Sequence, residues 1–357
     1  MELSDLPLRD ALRGETPYGA PQLDVPVLLN VNENPYPPNE QVVAAIGEAA
    51  AEAARGMNRY PDREASELRA DLAGYLGHDL ELANIWAANG SNEVMLQLLQ
   101  AFGGPGRTAL SFAPTYSMYP EYARDTDTRW VTGHRESDFT LAPEHALAMI
   151  EAERPTVVLL ASPNNPTGTA LPLSTVERIC HAAPGLVVVD EAYAEFRRPG
   201  TPSALSLLNQ HPRLVVTRTM SKAFAFAGGR LGYLAAHRAV VDALRIVRLP
   251  YHLSAVTQQV ARAALRHAEV LLARVHELVE TRDETVAWLR SLGLEAADSD
   301  ANFVLFGQFP DRHKVWQGLL ESGVLIRETG PDGWLRVSIG TPEEMARFRT
   351  ALEEVLR

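Results

Sequence analysis

Lys222 is the first residue to suggest chemistry, because lysine is scarce here: of 33 basic residues only Lys222 and Lys314 are lysines, and the rest are arginines. Arginine stays protonated and cannot serve as an amine nucleophile, so a lysine kept against that habit invites a chemical reading. Lys222 follows the strand-like run Leu214-Val215-Val216-Thr217, is flanked by Thr219 and Ser221, and precedes Gly228-Gly229-Arg230. A lysine on a hydroxyl-rich turn beyond a buried strand is placed to bond a carbonyl cofactor covalently. A single lysine is more often a solvated surface residue, so the reading rests on its neighbours.

Three other stretches supply them. Asn89-Gly90-Ser91-Asn92-Glu93 turns into a helical pattern; such a start is either an ordinary helix cap or an anion cradle built from unpaired N–H groups and the helix dipole. Ser162-Pro163-Asn164-Asn165-Pro166-Thr167-Gly168 directly follows an apolar run. It reads as a turn, or as ligand groups at the carboxyl end of a buried strand. Asp190-Glu191-Ala192-Tyr193 closes another buried run, where a carboxylate is expensive unless paired, as a protonated ring nitrogen would pair it. An anion cradle, a strand-end carboxylate, an amide, a tyrosine, a lysine and Arg230 together suit pyridoxal phosphate. The carboxylate keeps the pyridine ring protonated as an electron sink, and the lysine moves a proton between substrate carbons.

The elements that must hold these groups alternate between strand and helix. Val157–Ala161 and Leu186–Val189 are continuous apolar runs, as in parallel strands buried on both faces. Ile85–Ala88, Thr108–Phe112, Leu214–Thr217 and Leu231–Ala235 are further strand candidates, and helices are expected over 37–55 and 64–76. The pattern predicts an α/β large domain, a mostly parallel sheet covered by helices, over 36–250. An extended, proline-rich arm precedes it over 1–35. A smaller α+β domain follows over 251–357, opening on one long helix from Ser254 to about Leu292 that is bent near its middle.

Ser-Pro-Asn-Asn-Pro-Thr-Gly (162–168), Val-Asp-Glu-Ala-Tyr (189–193) and Arg-Thr-Met-Ser-Lys-Ala-Phe (218–224) closely resemble motifs of the fold-type I, pyridoxal-phosphate-dependent aminotransferases. Leu-Asn-Val-Asn-Glu-Asn-Pro (29–35), Arg-Tyr-Pro-Asp (59–62), Pro-Tyr-His-Leu-Ser (250–254) and Leu-Arg-Val-Ser-Ile-Gly-Thr (335–341) are similar to the histidinol-phosphate branch of class II within that family. The resemblance implies a fold-type I enzyme that transfers an amino group from histidinol phosphate to 2-oxoglutarate in histidine synthesis. It also implies Lys222 as the cofactor-bonding lysine, Asp190 as partner of the ring nitrogen, Asn165 and Tyr193 on the phenolic oxygen, and Tyr116 stacked on the ring. Ser91, Asn92, Thr219, Ser221 and Arg230 would hold the cofactor phosphate, with Tyr60 reaching over from a partner subunit of a homodimer. Asn92 departs from the aspartate that many relatives carry. Arg336 matches the arginine that grips a carboxylate in related enzymes and would here grip phosphate. Arg327 is a candidate second cation, or else forms a rim ion pair with Glu328 or Glu321. Tyr18 is placed as part of a lid, or as an arm tyrosine with no role.

Other function classes fit poorly. A net charge of −12 argues against non-specific nucleic-acid binding and favours a cytoplasmic life. The lone cysteine, Cys180, excludes an internal disulfide and reads as a packed thiol. The ten histidines show no metal-ligand spacing, and His252 reads as pocket lining or a turn residue. No phosphate-binding glycine loop of the dinucleotide or triphosphate kind occurs, and no run is long enough to span a membrane. Three rival functions remain: an aromatic amino-acid aminotransferase, a phospho-amino-acid decarboxylase, and a non-catalytic cofactor-binding regulator.

Overall fold

The computed structural model describes residues 1–357, the side chain of Ser4 excepted. The arm is less irregular than its prolines suggest. After two single 3-10 turns it forms strand β1 (Val27–Leu29), which pairs in parallel with a strand three hundred residues later. Helix α1 (Glu40–Arg55) starts where the Asn39 side chain accepts from the Val42 N–H at 2.9 Å. Helix α2 (Ser66–Leu76) starts two residues later than the sequence suggests. Asp62 accepts from the N–H groups of both Glu64 and Ser66, and Ala65 sits in the left-handed region, so Glu64 belongs to the turn.

A strand–helix alternation follows: β2 (Ile85–Ala88), α3 (Ser91–Phe102), β3 (Thr108–Ala113), α4 (Met118–Asp125), β4 (Arg129–His134), α5 (Pro143–Glu153), β5 (Val157–Ala161), α6 (Leu173–Ala182), β6 (Leu186–Asp190), β7 (Leu214–Thr219), β8 (Gly232–Ala236) and α7 (Arg238–Val247). The strands form one seven-stranded sheet in the order β2-β8-β7-β6-β5-β3-β4. Pairs from β7 through β4 are parallel, and only β8 and β2 join antiparallel. Every residue of β5 and β6 is buried, as expected for strands with helices on both faces. The turns at 162–168, 190–193 and 219–222 leave the carboxyl ends of β5, β6 and β7, where open α/β sheets bind ligands, and the turn at 89–93 leaves the carboxyl end of β2.

The expected long helix is three: α8 (Ala255–Arg266), α9 (Ala268–Leu272) and α10 (Val275–Ser291). Ser254 does cap the first, accepting from Thr257. His267 then leaves helical geometry at φ −106°, ψ 23°, and the Arg274 guanidinium lies 4.1 Å from the centre of the Tyr36 ring, between α9 and α10. The remainder comprises β9 (Glu295–Ala296), β10 (Phe303–Gly307), α11 (Arg312–Glu321), β11 (Val324–Ile326), β12 (Trp334–Ser338) and α12 (Pro342–Val355). Strands β12, β10 and β9 make an antiparallel sheet, and β11 takes β1 as its parallel partner. Cys180 is buried on α6, its thiol pushed up to about 12 by desolvation and the nearby Glu177. Among the described residues no helix is long and apolar enough to cross a membrane.

Candidate active site

A cavity of about 250 Å³ opens over the carboxyl ends of β5, β6 and β7. The residues singled out in the sequence for the site line it, except Tyr60 and His252. Lys222 follows β7, and its Nζ donates to the Val31 carbonyl at 2.8 Å. Desolvation, with Arg336 and Arg230 nearby, lowers the amine to about 8 despite Glu33. That brings the neutral, nucleophilic form within reach near neutral pH.

Asp190 ends β6 and is only 7% exposed. Its two oxygens accept from Tyr119 Oη and Thr217 Oγ1, each at 3.0 Å. Burial raises its pKa against these hydrogen bonds. No arginine, lysine or histidine pairs with it among the described residues, so the carboxylate is set to receive a cationic group. Tyr193, three residues on, accepts through its hydroxyl from Asn32 Nδ2 at 3.0 Å, and burial raises its pKa.

The other end of the cavity is built for an anion. Gly90 caps α3 at φ +85°, and a Cβ there would meet Arg230 Nη2 at 2.6 Å. Glycine therefore lets the guanidinium lie across the helix N-terminus, beside first-turn N–H groups that have no helical acceptor. Gly232 plays a matching part on β8, since a Cβ there would fall 2.1 Å from the Ser91 nitrogen. Thr219 and Ser221 set their hydroxyls 3.0 Å apart on the same rim. Tyr116 packs edge-on to Tyr119, with ring centroids 5.5 Å apart, and reaches Asn92 Oδ1 at 3.4 Å.

Arg336 lies opposite. It is 6% exposed, donates to the Asn30 carbonyl at 2.9 Å and to Asn165 Oδ1, and stacks over Phe303. Its Nε has no partner, and desolvation lowers its pKa to about 10. Arg327 joins it through a two-way backbone bridge at 2.9 and 3.0 Å. The rim ion pair considered for Arg327 does not form: Glu328 goes to His313 and Arg312, while Arg327 reaches only the Gly19 carbonyl, at 3.4 Å. Among the described residues neither arginine has a carboxylate partner. Tyr18 also faces the cavity, its hydroxyl 3.0 Å from Ser117 Oγ.

Two residues named in the sequence lie outside the cavity. Tyr60 is 79% exposed and stacks on Tyr251 with centroids 4.4 Å apart, outside the cavity of its own chain. His252 does not line the cavity; it stacks on Trp86 and its Nε2 lies 2.9 Å from the Ala87 carbonyl. Sequence reasoning passed over Tyr119, Thr217 and Asn32, which hold Asp190 and Tyr193. The signal for Asn32 was present in the 29–35 motif; Tyr119 and Thr217 carried none, because only the fold brings them to Asp190.

Comparison with known proteins gives the site its context. Residues 25–352 match the family described as aminotransferase class I and II. A histidinol-phosphate aminotransferase of Thermobifida fusca is 67% identical over 350 residues, spanning 98% of this chain and 95% of the relative. Histidinol-phosphate aminotransferase 3 of Burkholderia lata is 62% identical, over 99% of this chain and 97% of the relative. Among solved structures, the histidinol-phosphate aminotransferase of Sinorhizobium meliloti in complex with pyridoxal-5'-phosphate superposes with a TM-score of 0.85 at 27% identity, covering 93% of this chain and 91% of that one. Matched in sequence over nearly its whole length and in fold over as much, the chain belongs to the class I and II aminotransferase family and has the fold-type I architecture.

Proposed function

We propose that the chain transfers an amino group from histidinol phosphate to 2-oxoglutarate, yielding imidazole-acetol phosphate and glutamate in histidine synthesis, with pyridoxal phosphate as cofactor. The observation that carries the substrate is the pair Arg336 and Arg327, two guanidiniums on one cavity wall without a carboxylate between them. A phosphate dianion would satisfy both, including the unpartnered Arg336 Nε.

The cavity residues fit the cofactor on their own chemistry. Asp190, buried and without a cation, suits a protonated ring nitrogen; Ser91, Asn92, Thr219, Ser221 and Arg230 suit its phosphate. Tyr193, Asn165 and Tyr116 line the cavity; Tyr193 and the Nδ2 of Asn165 would hydrogen-bond the phenolic oxygen, and Tyr116 would cover a ring face. When bound, pyridoxal phosphate supplies an electron sink for charge left at the substrate carbon. Lys222 Nζ takes the proton from that carbon and returns it elsewhere, helped by an amine lowered to about 8. Tyr18 and the Arg327–Gly19 contact bring the arm over the substrate end, where it would exclude water.

Two identical subunits sharing their sites form part of the same reading. Tyr60 and Tyr251 stack at the surface, and Met57 and Leu249, three and two residues away in the chain, also expose apolar side chains; a partner's cavity is the natural target for Tyr60. A cytoplasmic location is in keeping with the acidic charge and a single, buried thiol.

The test is Arg327→Ala. A charge-assisted hydrogen bond of about 1.5–3 kcal/mol predicts a kcat/KM for histidinol phosphate lower by roughly 10- to 100-fold. The value for phenylalanine should change only a few-fold. Equal losses for the two substrates would remove Arg327 from phosphate recognition and favour a broad aromatic aminotransferase.

A further inference from the structure

A second constellation lies at the opposite end of the sheet. Glu177 and His181 are four residues apart on α6, so their side chains share one helix face. His211 comes from the turn that leads into β7. One ligand atom from each of the three lies within 4.8 Å of the other two. The His181 and His211 rings meet edge to face with centroids 4.7 Å apart. His211 is 8% exposed, and its Nε2 is buried without a hydrogen-bond partner. A buried ring nitrogen left unpaired is costly, so this one calls for a ligand. It sits against a cavity of about 390 Å³ lined by Cys180, His181, His211 and Arg213.

We propose that Glu177, His181 and His211 bind a divalent transition-metal ion of the zinc class. Two imidazoles and a carboxylate are ligands such ions favour, with water completing a four-coordinate set. Magnesium and calcium prefer an all-oxygen shell. Bonds of about 2.0–2.1 Å place tetrahedral donors roughly 3.4 Å apart, so donors within 4.8 Å of one another must close by at most about 1.4 Å. His181 is exposed and Glu177 partly so, and side-chain torsions of these two supply the movement. Arg213, the arginine lining this cavity, has its guanidinium turned to the Ala183 carbonyl at 3.2 Å, and Arg178, beside Glu177, pairs with Glu144 at 3.0 Å. Because α6 and His211 sit at the amino ends of β6 and β7, the ion touches none of the catalytic groups. It acts as a clamp between α6 and the lead-in to β7. Sequence reasoning found no metal-ligand spacing among the histidines and so passed over the Glu177-x-x-x-His181 spacing; the third ligand, thirty residues on, left no local pattern.

The test uses tag-free holoenzyme, stripped with chelator and titrated with Zn2+ by calorimetry and with Co2+ by visible absorption. Wild type should take up one equivalent that His181→Ala lacks, and Glu177→Gln should weaken it at least about tenfold. Zn2+ should raise the Tm of wild type but not of His181→Ala. Because His181 is exposed and does not line the active-site cavity, amino transfer by His181→Ala should match wild type, which certifies its fold. Equal Zn2+ uptake by wild type and His181→Ala, or displacement of Zn2+ by equimolar Mg2+, would overturn the proposal.

Discussion

Asp190 and Arg336 are buried charges of opposite sign that leave each other unpaired across the same cavity. Charges held this way cost folding energy and are kept where a ligand completes them. Asp190→Asn therefore separates stability from function. The Tm of the cofactor-free protein should hold or rise, since a desolvated carboxylate is removed, while amino transfer falls by about 10²-fold or more. A Tm that dropped along with the activity would show that Asp190 is structural. Lys222 gives a prediction in pH. With its amine lowered to about 8, cofactor-free protein should capture pyridoxal phosphate faster as pH rises, the rate levelling off above a midpoint near 8. Below that pH the protonated amine cannot attack. A midpoint near 10, as for a solvated lysine, would contradict the burial argument. Lys222, Asp190, Asn165 and Tyr193 were legible because motif and chemistry agreed. Their supports Tyr119 and Thr217 were not, since hydrogen bonds between residues 71 and 27 positions apart leave no local pattern.

The elements most legible were those whose burial is total. Strands β5 and β6 announce themselves as apolar runs because helices cover both faces. Strand β9 has two residues, and α11 buries only Leu319 fully, so neither carries a period strong enough to read. The single helix expected over 254–292 fails for a related reason: apolar spacing continues through His267 and Arg274, while the backbone bends there to meet its neighbours. The joint between β2 and α3 carries a prediction of its own. Gly90→Ala adds a Cβ at φ +85° and 2.6 Å from Arg230 Nη2. It should cost about 1 kcal/mol in stability, and should weaken pyridoxal phosphate binding more than Arg230→Lys does, since it disturbs both the N–H cradle and the guanidinium. Unchanged cofactor affinity in Gly90→Ala, measured by equilibrium titration, would separate this turn from phosphate binding.

For the molecule as a whole, we propose a division near residue 250, with β1 counted with the C-terminal part because it pairs only with β11. Removing residues 1–24 should leave the Tm nearly unchanged but reduce activity, through loss of Tyr18 and the Gly19 contact. Removing residues 1–30 should lower both, since β1 goes with it. Equal Tm values for the two truncations would show that β1 contributes nothing. The proposed sharing of sites between two subunits makes a further prediction. Tyr60→Ala and Lys222→Ala should each be weakly active or inactive alone, yet regain activity when refolded together, because one hybrid site is then complete; failure to complement would leave each subunit self-sufficient. The central claim, a transaminase for a phosphorylated imidazole amine, is tested most directly by a single-turnover half-reaction. Purified holoenzyme is mixed with histidinol phosphate, and separately with phenylalanine, while the visible absorbance of the bound cofactor is followed. Rapid loss of that band with histidinol phosphate and slow loss with phenylalanine is predicted. Equal rates for both, or no visible band after adding pyridoxal phosphate, would contradict the account.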